Sequence, residues 1–370
     1  MFEVMDLDPM VLPQAAGIRR RPVIPARKQP ANFDERYDWW TLVYGAARRP
    51  GGLVLVCPKL VNLRGVLKEG VFRAGGAALR MGRLRRYRRH DELYLKGEVR
   101  GDRLEFSHGD MRLSCPVQGP WEGFNGRRCL VTTSKNNEMD WIVDWVAHHV
   151  RHQGSEAVLL HDNLSTLYEP GEILERLRGV AGLKAARVVS VPCRYGPLGT
   201  RPPRGLAKFL QGGLLNLARQ GALSEARSVL QCDIDEIAVS DEGRPGLHEA
   251  AETARLGFAT APAFWRSAAV PQGSYARHGD HDLAWTPERG TKEKWAVVPG
   301  RGLGRFHWDV HGVAGYLFNK RAMVDGVRFY HCERLSTDWK RPRSAGELPE
   351  GAVEDAQTKA ALARVGLPRS

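Results

Sequence analysis

The chain has 370 residues with 55 Lys+Arg against 42 Asp+Glu, a formal charge of +13. At about 150 residues per domain that length predicts two domains or three, and 42% hydrophobic with 26% charged residues excludes a wholly disordered or fibrous chain. No run approaches the roughly 20 apolar residues that span a bilayer, and Met1-Phe2-Glu3-Val4-Met5-Asp6 lacks a secretory signal's basic flank and apolar run. The expectation is a cytoplasmic protein. Cysteines at 57, 115, 129, 193, 232 and 332 contain no Cys-x-x-Cys pair, which predicts buried thiols rather than a zinc ribbon or disulfides. The basic balance admits nucleic acid, anionic lipid or a phosphorylated substrate, and does not choose among them.

Residues 1–34 read as an irregular basic leader, since Arg19-Arg20-Arg21-Pro22 and Arg27-Lys28-Gln29-Pro30 place prolines that block a helical turn. Residues 35–125 read as a small β-rich domain. Its strands are Leu53–Cys57, Leu93–Val99 and Arg103–Phe106, with Gly101-Asp102 predicting a hairpin between the last two. Near Arg128 the pattern changes. Cys129–Thr133 reads as a buried strand, Asn136 or Asn137 as the cap of a helix, and Met139, Ile142, Val143 and Val146 as its apolar stripe. Strands at Ala157–Asp162, Ala186–Cys193 and Ser228–Asp233 then alternate with helices at Pro170–Val180 and Gly205–Arg219. That alternation predicts an α/β domain over 126–345, a mostly parallel sheet with helices on both faces, followed by a tail at 346–370.

Ligands of such sheets bind beyond the carboxyl ends of the strands. There the chain places Thr133-Ser134-Lys135-Asn136-Asn137-Glu138, His161-Asp162-Asn163 and Asp233-Ile234-Asp235-Glu236. Of three Asp-x-Asp stretches, only Asp233-Ile234-Asp235 ends an apolar strand within the alternating region. Two hard carboxylates at that position suit Mn²⁺ or Mg²⁺ held against a diphosphate.

Thr133–Glu138, followed by Trp141-Ile142-Val143-Asp144-Trp145 and His148, resembles the opening of the family 92 and related family 2 glycosyltransferases. Asp144-Trp145 stands where their pattern usually has Glu-Trp. Leu159–Ser165 is similar to their second strand ending in Asp-Asn-x-Ser, Cys232–Glu236 to their Asp-x-Asp-Glu signature, and Arg328-Phe329-Tyr330-His331 with Ser336 and Lys340 to their late His segment. The resemblance implies a GT-A (Rossmann-like) fold and transfer of a sugar from a nucleotide-sugar donor, expected to be a UDP-sugar, to a glycan or polysaccharide hydroxyl. It further implies Asp233, Asp235 and His331 at the metal, and Thr133, Lys135, Asn136, Asp162 and Asp233 around the nucleotide.

A base must deprotonate the acceptor if the displacement is inverting. If His307-Trp308-Asp309-Val310-His311 is extended, His307, Asp309 and His311 share one face; Asp309, His311 and Glu236 are the candidates carried forward. His148, His149 and His152 read as a half-solvated helix face, Trp141 and Trp145 as core, and Lys292 and Lys294 as exposed lysines with phosphate contact the rarer alternative. The run Arg80, Arg83, Arg85, Arg86, Arg88, Arg89, His90 would nearly encircle a helix; it suits solvent, an anionic membrane surface or a polyanion. With only Tyr87 interrupting it, no nucleic-acid partner is expected. The readings competing with sugar transfer are a polyanion-binding protein and a nucleotidyltransferase, which uses the same carboxylates.

Overall fold

A computed structural model describes residues 1–270, 275–333, 335 and 351–370. The chain forms two units: Met1–Met5, Glu122–Ser190 and Glu225–Ser370 make one, and Asp6–Trp121 with Val191–Ser224 the other.

The first unit is built on a nine-stranded sheet. Its strands are β1 (Phe2–Asp6), β2 (Arg128–Ser134), β3 (Ala157–Asp162), β4 (Ala185–Ser190), β5 (Ser228–Gln231), β6 (Glu236–Ser240), β7 (Phe258–Arg266), β8 (Gly290–Val297) and β9 (Val327–Cys332). They lie in the order β1-β4-β3-β2-β5-β8-β7-β9-β6. Strands β4, β3, β2 and β5 are mutually parallel, with Val131 between Leu159 and Gln231. Strand β8 runs against both β5 and β7, β9 runs with β7, and β6 runs against β9. All six residues of β3 are buried, as expected of a near-continuous apolar run covered on both faces.

Helix α1 (Met139–Gln153) buries Trp141, Ile142, Trp145 and Val146 at helical spacing. Helix α2 (Pro170–Arg178) buries Ile173, Leu174 and Leu177, and a reciprocal Glu169–Glu172 capping box opens it. The second unit is a closed seven-stranded barrel of Met111–Gln118, Gly45–Arg49, Gly52–Pro58, His90–Lys96, Ala77–Arg86, Val71–Ala74 and Arg103–His108, in that order. Phe72, Phe106, Leu55, Leu95 and Cys115 belong to its interior.

Several expectations change. The leader is irregular only in part: its first residues form edge strand β1, tied by the Met1 amino group to the Lys184 carbonyl at 2.7 Å and by Glu3 to Arg187. The Gly101-Asp102 hairpin is absent, because His90–Lys96 pairs with Gly52–Pro58 and Ala77–Arg86 instead. The tight turn is Gly109-Asp110, which joins His108 to Met111, with Gly109 at φ 56°. Helix α3 (Leu210–Gln220), expected as a crossover of the large sheet, belongs to the barrel unit; its apolar face packs on Gly45–Arg49 and Gly52–Pro58. The expected 126–345 domain is therefore interrupted at Val191–Ser224 and extended at both ends. The 346–370 tail contains α5 (Ala356–Arg364), after α4 (Leu247–Thr253); Ala361 and Leu362 of α5 join the large sheet's core. The arginine run is not helical: Arg80, Arg83, Arg85 and Arg86 lie on a barrel strand, Arg88 and Arg89 in the turn that follows, and His90 opens the next strand. Glu138 rather than an asparagine is the N-cap of α1, without a side-chain capping bond. All six cysteines are buried thiols.

Candidate active site

The strand directions bring one edge of the sheet together. The carboxyl ends of β3, β2 and β5 lie at the same edge as the carboxyl ends of β7 and β9 and the amino end of β6. Asp233-Ile234-Asp235 follows β5 at that edge and turns directly into β6. The turn is held at three points. The Asp233 N–H donates to Glu236 Oε2 at 2.9 Å, the Cys332 N–H to the Asp235 carbonyl at 2.8 Å, and His278 Nε2 to the Ile234 carbonyl at 2.8 Å.

Glu236 and His331 face each other across β6 and β9. His331 Nε2 lies 3.1 Å from Asp235 Oδ2 and Nδ1 lies 3.3 Å from Glu236 Oε1, while the Trp265 ring stacks on the imidazole at 3.8 Å. Lys294, on β8, is fully buried; its Nζ sits 2.6 Å from Glu236 Oε2 and 3.1 Å from Asp233 Oδ2. The side chains of Asp233, Asp235 and His331 keep 20%, 18% and 13% of their surface, so a ligand can reach this edge, whereas Glu236 keeps 2%.

Burial opposes charge on Lys294, but Asp233 and Glu236 outweigh it and hold the ammonium well above its ordinary range. Burial likewise opposes the His331 cation, and Asp235 and Glu236 raise its pKa nonetheless. For Glu236 burial dominates and pushes the carboxyl up, against the pull of Lys294.

Asp235, Glu236 and His331 each offer a ligand atom within 4.8 Å of the others. Two carboxylate oxygens and an imidazole nitrogen are a donor set that fits Mn²⁺ or Mg²⁺. Asp233, expected as a ligand, stands beside Lys294 instead, and Glu236 takes the third position in the cluster. As a general base Glu236 is poorly placed, because both its oxygens are already held by Lys294, the Asp233 N–H and His331.

The loops after β2 and β3 carry the other expected residues. Asp162 accepts from the Ser165 hydroxyl at 2.5 Å and the Ser165 N–H at 3.2 Å, and burial still lifts its pKa. Lys135 donates to the Asn163 and Leu164 carbonyls at 3.1 and 2.9 Å. Asn136 adopts φ 50° and exchanges bonds with Ser165 and Thr166. Thr133 pairs in register with His161.

His307–His311 is not one extended strand. Trp308–Asp309 turns through Val310-His311 into Gly312–Val313, so His311 sits in a turn and the shared-face argument stops at Asp309. The Asp309 carbonyl accepts from Trp295 Nε1 at 2.9 Å and the His311 carbonyl from Asn319 at 2.7 Å. Trp295 points to the opposite sheet face from its neighbour Lys294. Ser336 and Lys340 lie outside the described residues.

Sequence reasoning missed Trp265 and His278, and it read Lys294 as exposed although the side chain is fully buried. The available signal was the apolar run Trp295-Ala296-Val297 directly after Lys294, where the strand is buried on both faces. His148 and His149 are buried rather than half-solvated, bonded to the Ala238 and Trp145 carbonyls.

No family model and none of the curated proteins matches the chain. The crystal structure of S. aureus TarS 1-349 in complex with UDP is similar over 55% of this chain and 60% of that chain, at 16% identity and a TM-score of 0.31. The chain thus spans less than two-thirds of that structure, and a likeness of this degree carries no argument about fold or activity.

Proposed function

We propose that this chain is a metal-dependent glycosyltransferase with a GT-A sheet, moving a hexose from a UDP-sugar to a hydroxyl of a glycan or polysaccharide by an inverting displacement. The observation that carries the reading is the meeting of Asp235, Glu236 and His331 at the carboxyl edge of the parallel strands, partly open to solvent. Asp235, Glu236 and His331 would hold Mn²⁺ or Mg²⁺, which when bound would supply positive charge for the departing diphosphate. Lys294 and the stacked Trp265 keep Glu236 and His331 in place, so the cluster is preorganised before donor arrives. Asp162, Thr133 and the loop of Lys135 and Asn136 end β3 and β2 at the same sheet edge, and they are the residues proposed to take the nucleoside. The bond from the anomeric carbon to the diphosphate breaks, the bond to the acceptor oxygen forms, and the hydroxyl proton passes to a base.

Calorimetry with UDP and Mn²⁺ tests this. Binding by the wild type, lost by about a hundredfold in Asp235→Ala and in His331→Ala, is the expected result, with nucleoside diphosphate as the product of turnover. Unchanged binding in both variants, or release of pyrophosphate, overturns it.

A further inference from the structure

The positive charge of the chain resides in one unit. Asp6–Trp121 and Val191–Ser224 hold 27 Lys+Arg and 12 Asp+Glu, a balance of +15, and the other unit holds 28 against 30, or −2. Three of the barrel unit's twelve acids are buried against its own cations, Asp38 with Arg20, Asp91 with Lys59 and Glu92 with Arg219. Each such pair removes one charge of either sign, so the balance of +15 stays with the remaining residues of the unit.

The barrel registers order part of that charge. Arg49 lies opposite Gly52, Gly52 opposite Lys96, and Lys96 opposite Arg80. Three exposed cations thus form a row across four adjacent strands, roughly 15 Å long at the usual strand spacing. Arg83 is exposed farther along the same strand as Arg80. Like charges placed directly opposite each other weaken a sheet, so folding gives no reason for setting Arg80 against Lys96. Glu98, two residues beyond Lys96, is already paired with Arg100. An aliphatic group stands beside the cations: Val71 is 48% exposed and next to Arg80, because Phe72 pairs with Leu79.

We propose that this barrel face docks on an anionic phospholipid bilayer through Arg49, Arg80, Arg83 and Lys96, with Val71 against the headgroup layer. A row of cations beside an exposed aliphatic group complements a flat anionic surface. Single-stranded nucleic acid would need open rings for base stacking. The rings nearby are engaged, Tyr87 stacked on His90 at 4.7 Å and Tyr94 under the Arg85 guanidinium at 5.3 Å.

Co-sedimentation of the full chain with phosphatidylcholine vesicles, with and without phosphatidylglycerol, tests the proposal. Binding should require phosphatidylglycerol and weaken as salt is raised. Each cation contributes about fivefold, so R49Q/R80Q/R83Q/K96Q should lose more than about a hundredfold, and R80Q or K96Q alone about fivefold. These exposed substitutions leave UDP binding and the melting temperature unchanged, which keeps the result independent of the proposed sugar transfer. The charge-matched R151Q/R255Q/K320Q/R321Q, all exposed in the other unit, should bind like the wild type. An equal loss in that variant, equal binding to pure phosphatidylcholine, or displacement from vesicles by random duplex DNA at equal phosphate concentration overturns the proposal.

Discussion

At the residue scale, Lys294 explains how four ionisable groups coexist at one sheet edge. Its ammonium is shared by Asp233 and Glu236, and Glu236 in turn faces His331. Removing one partner of a buried ion pair leaves an uncompensated charge, typically at a cost of 3–5 kcal/mol. Lys294→Met is therefore expected to destabilise the chain by about that amount in urea denaturation. Adding Glu236→Gln should restore part of the loss, because the stranded carboxylate is then neutral. Wild-type stability in the single variant would contradict the buried pairing. None of this can be read from a lysine between Glu293 and Trp295, since the partners sit about 60 positions away.

At the element scale, the buried parallel strands were the most legible part of the chain. Ala157–Asp162 has the predicted limits, and β2, β4 and β5 fall within three residues of theirs. Apolar runs announce strands, but which strands pair depends on contacts distant in sequence, so the Gly101-Asp102 hairpin was misread. Helix starts depend on bonds a few residues long, and α2 supplies a direct check. Glu169→Ala removes the side-chain half of the capping box and is expected to cost about 1 kcal/mol. Thermal melting of that variant measures it; an unchanged melting temperature would show the cap to be idle.

For the whole molecule, the buried histidines set the response to acid. Burial keeps six of them neutral: His149, His248 and His281 titrate at about 3, His161 and His278 at about 4, and His148 well below its ordinary value. Below about pH 6.5 the unfolded chain takes up these protons while the folded chain does not. Their contribution is thus present above pH 6.5 and lost as pH falls toward 3 to 4. His331 has the opposite sign, stabilising at low pH and losing that contribution as pH rises through its raised pKa, and the raised carboxyls of Glu236, Asp162 and Asp144 share that sign, but they are four groups against six. Glu92 and Glu252, both held near 2, lose their contribution only below the ordinary carboxylate range. The melting temperature is expected to fall between pH 7 and pH 5; a flat profile there would refute this account.

Sequence alone determined the alternation of strand and helix, the burial of the cysteines and the acidic turn at the end of a central strand. Each of these depends on local pattern: apolar period, turn residues and the compositional break near Arg128. Only the tertiary structure decided that Phe2–Asp6 joins the large sheet, that Leu210–Gln220 belongs to the barrel, and that Glu236 and Lys294 complete the Asp-x-Asp cluster. Those outcomes depend on which distant segments share a neighbour and on charges meeting across strands. Pairing energy of that kind has no signature in the order of the residues.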